Sequence, residues 1–312
     1  MKKISFVIPC YCSEHTLSAI VNEIKSTMET LLQYEYEIVL VDDCSPDGTY
    51  AVICKLADRN ANITGISMSR NFGQHAALMA GFHYAQGDIV VCLDDDGQTP
   101  ASEVEKLLKK IEANYDVVFA SYERKMQSPF RNWGSWTNSK MTEIMLGKPH
   151  NLVINSYFAM RRFVMLEMLR YEHCYPYVAG LVLRTTKNIC NVPVVHRQRE
   201  YGQSGYTMKK LLSLWMNGFT SFSVKPLRIA IYFGVMFALL GFAYLAAIIV
   251  KYCMYSTAPL GWSSTIAAIL AMGGIILVVL GLIGEYVGRI FMCINRAPQY
   301  VIREVTKEKN EN

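Results

Sequence analysis

Two long uncharged stretches in the last third of the chain constrain its fold more than any other feature. Residues 229–250 are 22 consecutive residues without a charge, rich in Ile, Phe, Leu and Ala, and a second uncharged stretch covers about 265–284. About 20 such residues are needed to cross the hydrocarbon core of a bilayer. Two buried core helices are the alternative, but these rarely remain purely apolar beyond about a dozen residues. We therefore predict two transmembrane helices.

The basic residues beside these stretches predict their orientation. Lys225 and Arg228 precede the first stretch, Arg289 and Arg296 follow the second, and the short connection carries only Lys251. Cytoplasmic flanks of membrane helices are enriched in Lys and Arg. We expect a multi-pass protein of the inner (plasma) membrane, with both termini and the domain ahead of the spans in the cytoplasm.

Residues 205–226, just before the first stretch, have the pattern of an amphipathic helix. Apolar side chains recur there at helical spacing, and Lys209 and Lys210 fall on other faces. This pattern is typical of a helix lying on a membrane surface. A helix packed against the core of the preceding domain is the alternative. The apolar positions are Met208, Leu211, Leu212, Trp215, Met216, Phe219 and Phe222.

Charge and cysteine content exclude some other classes of protein. The net charge of +5 is modest, and the sequence contains no run of Lys and Arg that resembles a nucleic-acid-binding arm. We therefore predict no nucleic-acid partner. The nine cysteines are odd in number and contain no CxxC pair or zinc-site spacing. We interpret them as reduced, in agreement with a cytosolic domain.

The first 200 residues alternate between short apolar runs and helical segments. Such a rhythm predicts an α/β domain with a mostly parallel sheet and helices on both faces. In these sheets, ligands bind outside the carboxyl ends of the strands. The predicted strands are Ile4–Pro9, Glu37–Val41, Ile63–Met68 and Asp88–Leu93, and the predicted helices are Thr16–Leu32, 49–60 and 74–85.

Acidic residues follow two of these strands. Asp42 and Asp43 end the second strand and Asp94 to Asp96 follow the fourth, so both groups belong at one edge of the sheet. Asp94 and Asp96 project to the same side if strand geometry continues. Such carboxylates suit Mg²⁺ or Mn²⁺, which bridges them to phosphates, although a solvated acidic turn would have the same sequence.

Seven stretches, taken in order, resemble family 2 glycosyltransferases with the GT-A fold. The likeness is to the polyprenyl-phosphate sugar transferases, which include dolichyl-phosphate mannose synthase and the bactoprenol glucosyltransferases. It implies a GT-A (Rossmann-like) catalytic domain at 1–204, an interfacial helix at 205–226, two transmembrane helices within 227–290 and a cytoplasmic tail at 291–312. The stretches are VIPCYCSE (7–14), VDDCSPDGT (41–49), SRNFGQHAALMAG (69–81), DDDGQTP (94–100), REYGQSGYTMKKLL (199–212), FSVKPLRIA (222–230) and GEYVGRI (284–290).

The resemblance assigns a role to each matching residue. Asp42 or Asp43 would recognise the base, and Asp94 and Asp96, with Arg199, would be catalytic. The implied nucleotide-sugar residues are Pro9, Tyr11, Glu14, Asp42, Asp43, Asp95 and Arg124. The implied metal ligands are Asp94, Asp96 and Gln98, and the implied acceptor-phosphate residues are Arg197, Arg199, Ser204, Tyr206 and Lys209.

The chain departs from the family pattern at three places. An arginine that many relatives carry after the fifth strand is replaced by Ala120-Ser121-Tyr122, with Arg124 close by, and another, three residues before Arg199, is His196. Some relatives have an Asp near position 156 as a candidate base, whereas this chain has Asn155-Ser156-Tyr157. We assign no protein base, because a phosphate monoester with a second pKa of about 6 is already ionised at pH 7.

The predicted reaction is therefore inverting transfer of a sugar from a nucleotide-sugar to a polyprenyl phosphate, for cell-envelope glycan synthesis or modification. The donor is expected to be UDP-linked and the acceptor to be undecaprenyl phosphate. Mg²⁺ or Mn²⁺ is the expected cofactor, and the resemblance also suggests a homo-oligomer. The alternatives are an enzyme acting on a non-lipid glycan, a processive polysaccharide synthase, and an inactive anchor subunit. The absence of a Q-x-x-R-W motif disfavours the synthase.

Overall fold

The computed structural model describes residues 1–122, Glu143, 147–195, Arg197, single residues between 232 and 254, 261–295 and 297–306. The predicted interfacial helix at 205–226 and most of the first apolar stretch lie outside the described residues. The chain divides into two compact units. The first contains Met1–Gly218 together with Arg296–Asn312, and the second contains Phe219–Asn295.

Strands and helices alternate through the first unit as the apolar pattern predicts. Each predicted strand and helix up to residue 93 is present, with ends shifted by at most three residues. The strands are β1 (Lys2–Cys10), β2 (Tyr34–Asp42), β3 (Ile63–Met68), β4 (Ile89–Cys92), β5 (Val117–Tyr122), β6 (Phe158–Arg161), β7 (Ile189–Val194) and β8 (Ile302–Val305). The helices are α1 (Leu17–Thr30), α2 (Thr49–Arg59), α3 (Gln74–Tyr84), α4 (Val104–Glu112), α5 (Arg162–Leu169), α6 (Val178–Thr185) and α7 (Trp262–Ile294).

The eight strands form one mixed sheet in the order β7-β5-β6-β4-β1-β2-β3-β8. Strands β4, β1, β2 and β3 are mutually parallel, and β6 and β8 run antiparallel to their neighbours. Strand β1 lies at the centre of the parallel group, and its residues 4–10 are all buried. Burial on both faces explains why β1 is a continuous apolar run rather than an alternating one. The predicted α/β sheet is confirmed.

Strand β8 comes from the segment predicted to be a tail. Ile302–Val305 pair antiparallel with β3, so the chain returns to the sheet after the second unit. The Gly65 N–H donates to Thr306 Oγ1 at 2.9 Å, and the Thr306 N–H donates to the Gly65 carbonyl at 2.9 Å. A Cβ on Gly65 would overlap with Ile53 Cγ2 of α2 and would lie 3.0 Å from Thr306 Cγ2, so glycine allows both residues to approach β3 closely.

The second unit contains the long helix α7, which spans 33 residues. Its segment Met272–Ile294 has a mean hydropathy of 2.0 and is long enough to cross a bilayer. In the described part of the chain it is the one helix with this length and composition. The predicted span at about 265–284 overlaps it but begins and ends earlier.

Candidate active site

The strand order brings the two acidic loops to one edge of the sheet. Strands β4, β1 and β2 are adjacent and parallel, so the residues that follow their carboxyl ends converge. The Asp43 N–H donates to the Cys10 carbonyl at 2.9 Å, which joins the end of β2 to the end of β1. The Tyr11 N–H donates to Asp95 Oδ2 at 2.8 Å, which joins β1 to the loop after β4.

Asp94 lies two residues after the end of β4, and its carboxylate is held by two side chains from other parts of the chain. Gln74 Nε2, at the start of α3, donates to Asp94 Oδ1 at 3.0 Å, and Ser156 Oγ, just before β6, donates to Asp94 Oδ2. Burial raises the pKa of Asp94 to about 6, and the neighbouring carboxylates Asp96 and Asp95 also raise it. The two hydrogen bonds act in the opposite direction, and they fix how the carboxylate is oriented.

Asp95 and Asp96 have different surroundings from Asp94. Asp95 anchors the loop after β1, because its carboxylate accepts the Tyr11 N–H and its carbonyl accepts Thr16 Oγ1 at 2.6 Å. Burial raises the pKa of Asp95 as well. Asp96 Oδ1 accepts the Gln98 N–H at 3.0 Å across a turn in which Gly97 has a φ of +70°, where glycine is favoured.

The acidic loop after β2 uses its carboxylates to stabilise loop backbone. Asp43 Oδ1 accepts the Phe72 N–H at 2.7 Å and Oδ2 accepts the Gly73 N–H at 2.8 Å, just before α3. Burial raises the pKa of Asp43 to about 6, against the effect of these two bonds. Asp42 Oδ1 accepts the Ser45 N–H at 3.1 Å, and burial raises its pKa too. A role for either in base recognition stays a prediction.

The other implied nucleotide-sugar residues, in β1 and in the loop after it, lie at the same carboxyl edge of the sheet. Pro9 lies within β1 opposite Val41, and Tyr11 is about half exposed. Glu14 Oε2 accepts the Gly48 N–H at 2.8 Å, so Glu14 links the loops that follow β1 and β2.

The residues after β4 fit a divalent cation whose coordination shell is completed by phosphate oxygens of a bound substrate. No three His, Cys, Asp or Glu side chains converge as a complete metal cage within the described ranges. Mg²⁺ and Mn²⁺ in phosphate-transfer sites are commonly held by one or two carboxylates, with phosphate oxygens and water completing the shell. Asp94 and Asp96 can supply those two carboxylates. Gln98 Nε2 donates to the Arg197 carbonyl at 3.5 Å, and a role for Gln98 as a metal ligand stays a prediction.

Arg197 is the described member of the implied acceptor-phosphate group. Its N–H donates to the Gln98 carbonyl at 3.0 Å, so its backbone lies beside the loop after β4. Its Nη1 donates to Glu23 Oε2 of α1 at 2.8 Å. The predicted residues Arg124, Arg199, Ser204, Tyr206 and Lys209 lie outside the described residues, and their roles stay predictions.

Two contacts at Asp94 were not predicted from the sequence. Gln74 lies within a stretch that carries the family resemblance, but nothing in the sequence pairs it with Asp94. Ser156 occupies the region where some relatives have an acid, and this was the available signal. Both contacts depend on the three-dimensional approach of α3 and β6 to the end of β4.

Two protein-family models match separate parts of the chain. The family described as glycosyl transferase family 2 matches residues 5–169, which is more than half of the chain. The family described as the GtrB C-terminal hairpin matches residues 225–290.

Curated relatives match the chain over its whole length. A protein of Proteus mirabilis is 34% identical over 100% of this chain and 96% of its own length. A protein of Photorhabdus laumondii is 32% identical, covering 100% of this chain and 97% of its own length. Both are named undecaprenyl-phosphate 4-deoxy-4-formamido-L-arabinose transferase.

Solved structures with the same fold are more distant. Glucosyl-3-phosphoglycerate synthase of Mycobacterium tuberculosis, crystallised with Mn²⁺ and UDP-glucose, gives a TM-score of 0.52 at 15% identity, over 70% of this chain and 77% of its own. Mannosyl-3-phosphoglycerate synthase of Rubrobacter xylanophilus gives a TM-score of 0.50 at 17% identity, over 69% of this chain and 71% of its own. At this identity the likeness concerns the fold alone.

Proposed function

Because the chain belongs to glycosyl transferase family 2, we propose that it transfers a sugar from a UDP-linked donor to undecaprenyl phosphate, with inversion at the anomeric carbon. The observation that carries this proposal is the extent of the similarity, since relatives named as undecaprenyl-phosphate transferases match the entire chain. The product is a lipid-phosphate-linked sugar used to build or modify the cell envelope. A 4-deoxy-4-formamido-L-arabinose donor is the first sugar to test, because the relatives carry it in their names.

The family expectation from the sequence is confirmed. The glycosyl transferase family 2 match and the hairpin match lie in the order that the sequence predicts. The GT-A architecture of the first unit is confirmed by the mixed sheet and by the solved structures that share it.

The loop after β4 is the proposed centre for departure of the nucleoside diphosphate. Asp94 and Asp96 would hold Mg²⁺ or Mn²⁺ against the diphosphate oxygens. Such an ion, when bound, acts as a Lewis acid for the leaving group and contributes several kcal/mol of transition-state stabilisation. Ser156 and Gln74 keep Asp94 oriented, so little reorganisation is needed when the donor binds.

No protein base is needed for the attack that we propose. A lipid phosphate monoester is largely ionised at pH 7, so its oxygen can attack the anomeric carbon without giving a proton to a side chain. Direct attack from the face opposite the diphosphate inverts the configuration. Ser156, where some relatives have an acid, donates a hydrogen bond from its hydroxyl to Asp94 and so would act as a positioning group.

The acceptor side of the site is proposed from the sequence. Arg197 and Arg199, with Ser204, Tyr206 and Lys209, would hold the lipid phosphate, because two anionic reactants repel each other unless cations lie between them. An interfacial helix at 205–226 would keep these groups at the depth of the lipid headgroup.

The connectivity of the two units supports two membrane crossings. Residues on both sides of the second unit belong to the first, because β8 pairs with β3 of the same sheet. A chain that leaves a domain and returns to it must cross a bilayer an even number of times. If Met272–Ile294 is one crossing, we propose 229–250, between Phe219 and that helix, as the second. The basic flanks favour the cytoplasmic side for the catalytic unit.

The proposal is tested by following sugar from donor to lipid. Membranes containing the chain are incubated with radiolabelled UDP-sugars, including the 4-deoxy-4-formamido-L-arabinose donor, and extracted with chloroform and methanol. We expect label in the lipid phase that depends on Mg²⁺ or Mn²⁺ and on added undecaprenyl phosphate. Membranes containing the Asp94→Asn variant are the matched control and should give none.

The competing functions give different outcomes in the same assay. Label found only in polymer, protein or soluble glycan would reject the lipid acceptor. No label with any donor, together with no binding of UDP, would favour an inactive anchor subunit.

A further inference from the structure

Arg303 occupies an irregular position in β8. Ser67 pairs with Glu304 and Met68 pairs with Ile302, so Arg303 is the extra residue of a β-bulge between them. Bulges re-aim a side chain and are common next to active sites.

The bulge directs the Arg303 side chain to the ligand-binding edge of the sheet. Its Nη2 donates to the Ser69 carbonyl at 2.9 Å, directly after the carboxyl end of β3. Cys44 Sγ, directly after Asp43, approaches the same carbonyl at 3.9 Å. Arg303 is exposed, and among the described residues no other hydrogen bond uses its guanidinium. Donors therefore remain available at this edge.

Arg303 also acts electrostatically on the loop after β2. Burial raises the pKa of Asp42, and the positive charge of Arg303 is among the effects that lower it. The guanidinium therefore lies close enough to Asp42 to influence its ionisation.

The strand spacing shows which end of a nucleotide would meet Arg303. Strand β3 is three strand spacings from β4, about 14 Å, because neighbouring strands lie about 4.8 Å apart. With the diphosphate at Asp94 and Asp96 after β4, a donor lying across the carboxyl edge would place its nucleoside over β2 and β3. Arg303 would then lie at the nucleoside end of the donor and away from its diphosphate.

We propose that Arg303, which the chain contributes from beyond its membrane hairpin, binds the nucleoside of the donor and donates a hydrogen bond to a carbonyl oxygen of the uracil base. The inference rests on the UDP-linked donor proposed above. It makes β8 part of the donor site, so the segment after the hairpin completes the nucleotide pocket as well as the sheet.

The test measures binding of UDP and UMP to the full chain in detergent with Mg²⁺, by calorimetry or competition. Arg303→Met should weaken both ligands by the same factor, about tenfold, as expected for loss of one charge-assisted hydrogen bond. Arg303→Lys should recover part of the loss. UDP and UMP share the nucleoside, so a contact to the base affects both equally.

Thr306→Val separates binding from strand docking. It removes the Thr306 hydroxyl that accepts the Gly65 N–H, and so loosens β8 without changing Arg303. We expect Thr306→Val to lower the unfolding temperature at least as much as Arg303→Met, and to bind UDP within about twofold of the wild type. Arg59→Met, at the exposed end of α2, controls for net charge.

Three outcomes would overturn the inference while leaving the proposed function intact. In the first, Arg303→Met binds UDP as tightly as the wild type does. In the second, Thr306→Val weakens the affinity for UDP as much as Arg303→Met does. In the third, Arg303→Met loses affinity for UDP but not for UMP. If the wild-type chain binds no UDP, the uridine donor is wrong, and the inference is wrong with it.

Discussion

The loops after β2 and after β4 have similar sequences and lie at the same sheet edge, yet their carboxylates are held in different ways. Each loop contains an aspartate whose pKa burial raises to about 6: Asp43, which is buried, and Asp94, which is part-buried. Asp43 accepts two backbone N–H groups from the segment before α3. Asp94 accepts hydrogen bonds from two side chains, those of Gln74 and Ser156.

On this difference we base the proposal of a structural role for Asp43 and a catalytic one for Asp94. The backbone donors of Phe72 and Gly73 cannot be moved without moving the segment before α3, so Asp43 fixes that segment. The donors to Asp94 are side chains, which orient its carboxylate without holding any loop backbone in place. Two runs of adjacent aspartates after strands therefore have different expected consequences when they are mutated.

The largest expected effect is loss of turnover in Asp94→Asn. The substitution keeps the shape of the side chain and removes its charge, so the transition state loses a cation ligand, and we expect turnover to fall by at least about 10³-fold. The unfolding temperature should stay equal or rise, because a buried charge is removed. Lipid labelling and thermal unfolding of the same preparation measure the two quantities. Full activity with Mg²⁺ or Mn²⁺ would reject the metal assignment.

The next effect is a loss of stability in Asp43→Ala. Two N–H groups in a part-buried segment lose their acceptor, which should lower the free energy of unfolding by about 2–3 kcal/mol. Asp58→Ala, at an exposed position of α2, is the control and should change stability little. Denaturant unfolding in detergent is the measurement.

Asp43→Ala also tests the alternative role that the sequence allowed. If the variant keeps wild-type stability but binds UDP much more weakly, Asp43 recognises the base directly. The structural role would then be wrong, and the contrast between the two loops would disappear.

The positions of the acidic residues could be predicted from the sequence, but their partners could not. Apolar runs bounded by turn residues identified β1 to β4, with β3 placed at Ile63–Met68, and the rule for parallel sheets put both acidic loops at one edge. The donors to Asp94 come from positions 20 and 62 residues away along the chain. Such contacts depend on packing between elements, which periodicity does not encode.

The short antiparallel strands were also beyond sequence reasoning. Strands β6 and β8 have four residues each, and unlike the four-residue strand β4 neither is a continuous apolar run. Strand β8 follows a long apolar helix, where charged residues such as Arg303 and Glu304 indicate a solvated tail. It forms because the edge of β3 offers unpaired backbone groups and Gly65 admits Thr306.

A smaller effect is expected from Ser156→Ala. Loss of the hydroxyl leaves Asp94 oriented by Gln74 alone, so we expect kcat to fall about tenfold and the KM for the donor to change less than about twofold. Ser156→Thr keeps a hydroxyl and should recover most of the activity. A matched fall in the unfolding temperature and in kcat for both variants would indicate a packing role for Ser156. A rise in the KM for the donor at constant kcat would place it in substrate binding.

The smallest effect is a pH dependence of the affinity for a cation. It should depend on the carboxyl of Asp94 in the loop after β4 and not on that of Asp43 in the loop after β2. A protonated carboxyl cannot coordinate a cation, so with a pKa of about 6 for Asp94 the affinity for Mn²⁺ falls as the pH falls. We expect it to be about fourfold lower at pH 5.5 than at pH 7, measured by electron paramagnetic resonance without nucleotide, so that phosphate protonation does not contribute. Asp43→Asn removes the other carboxyl whose pKa is about 6, and it should leave this curve unchanged. A curve that is flat in the wild type, or that flattens in Asp43→Asn, would assign the titration to a group other than Asp94.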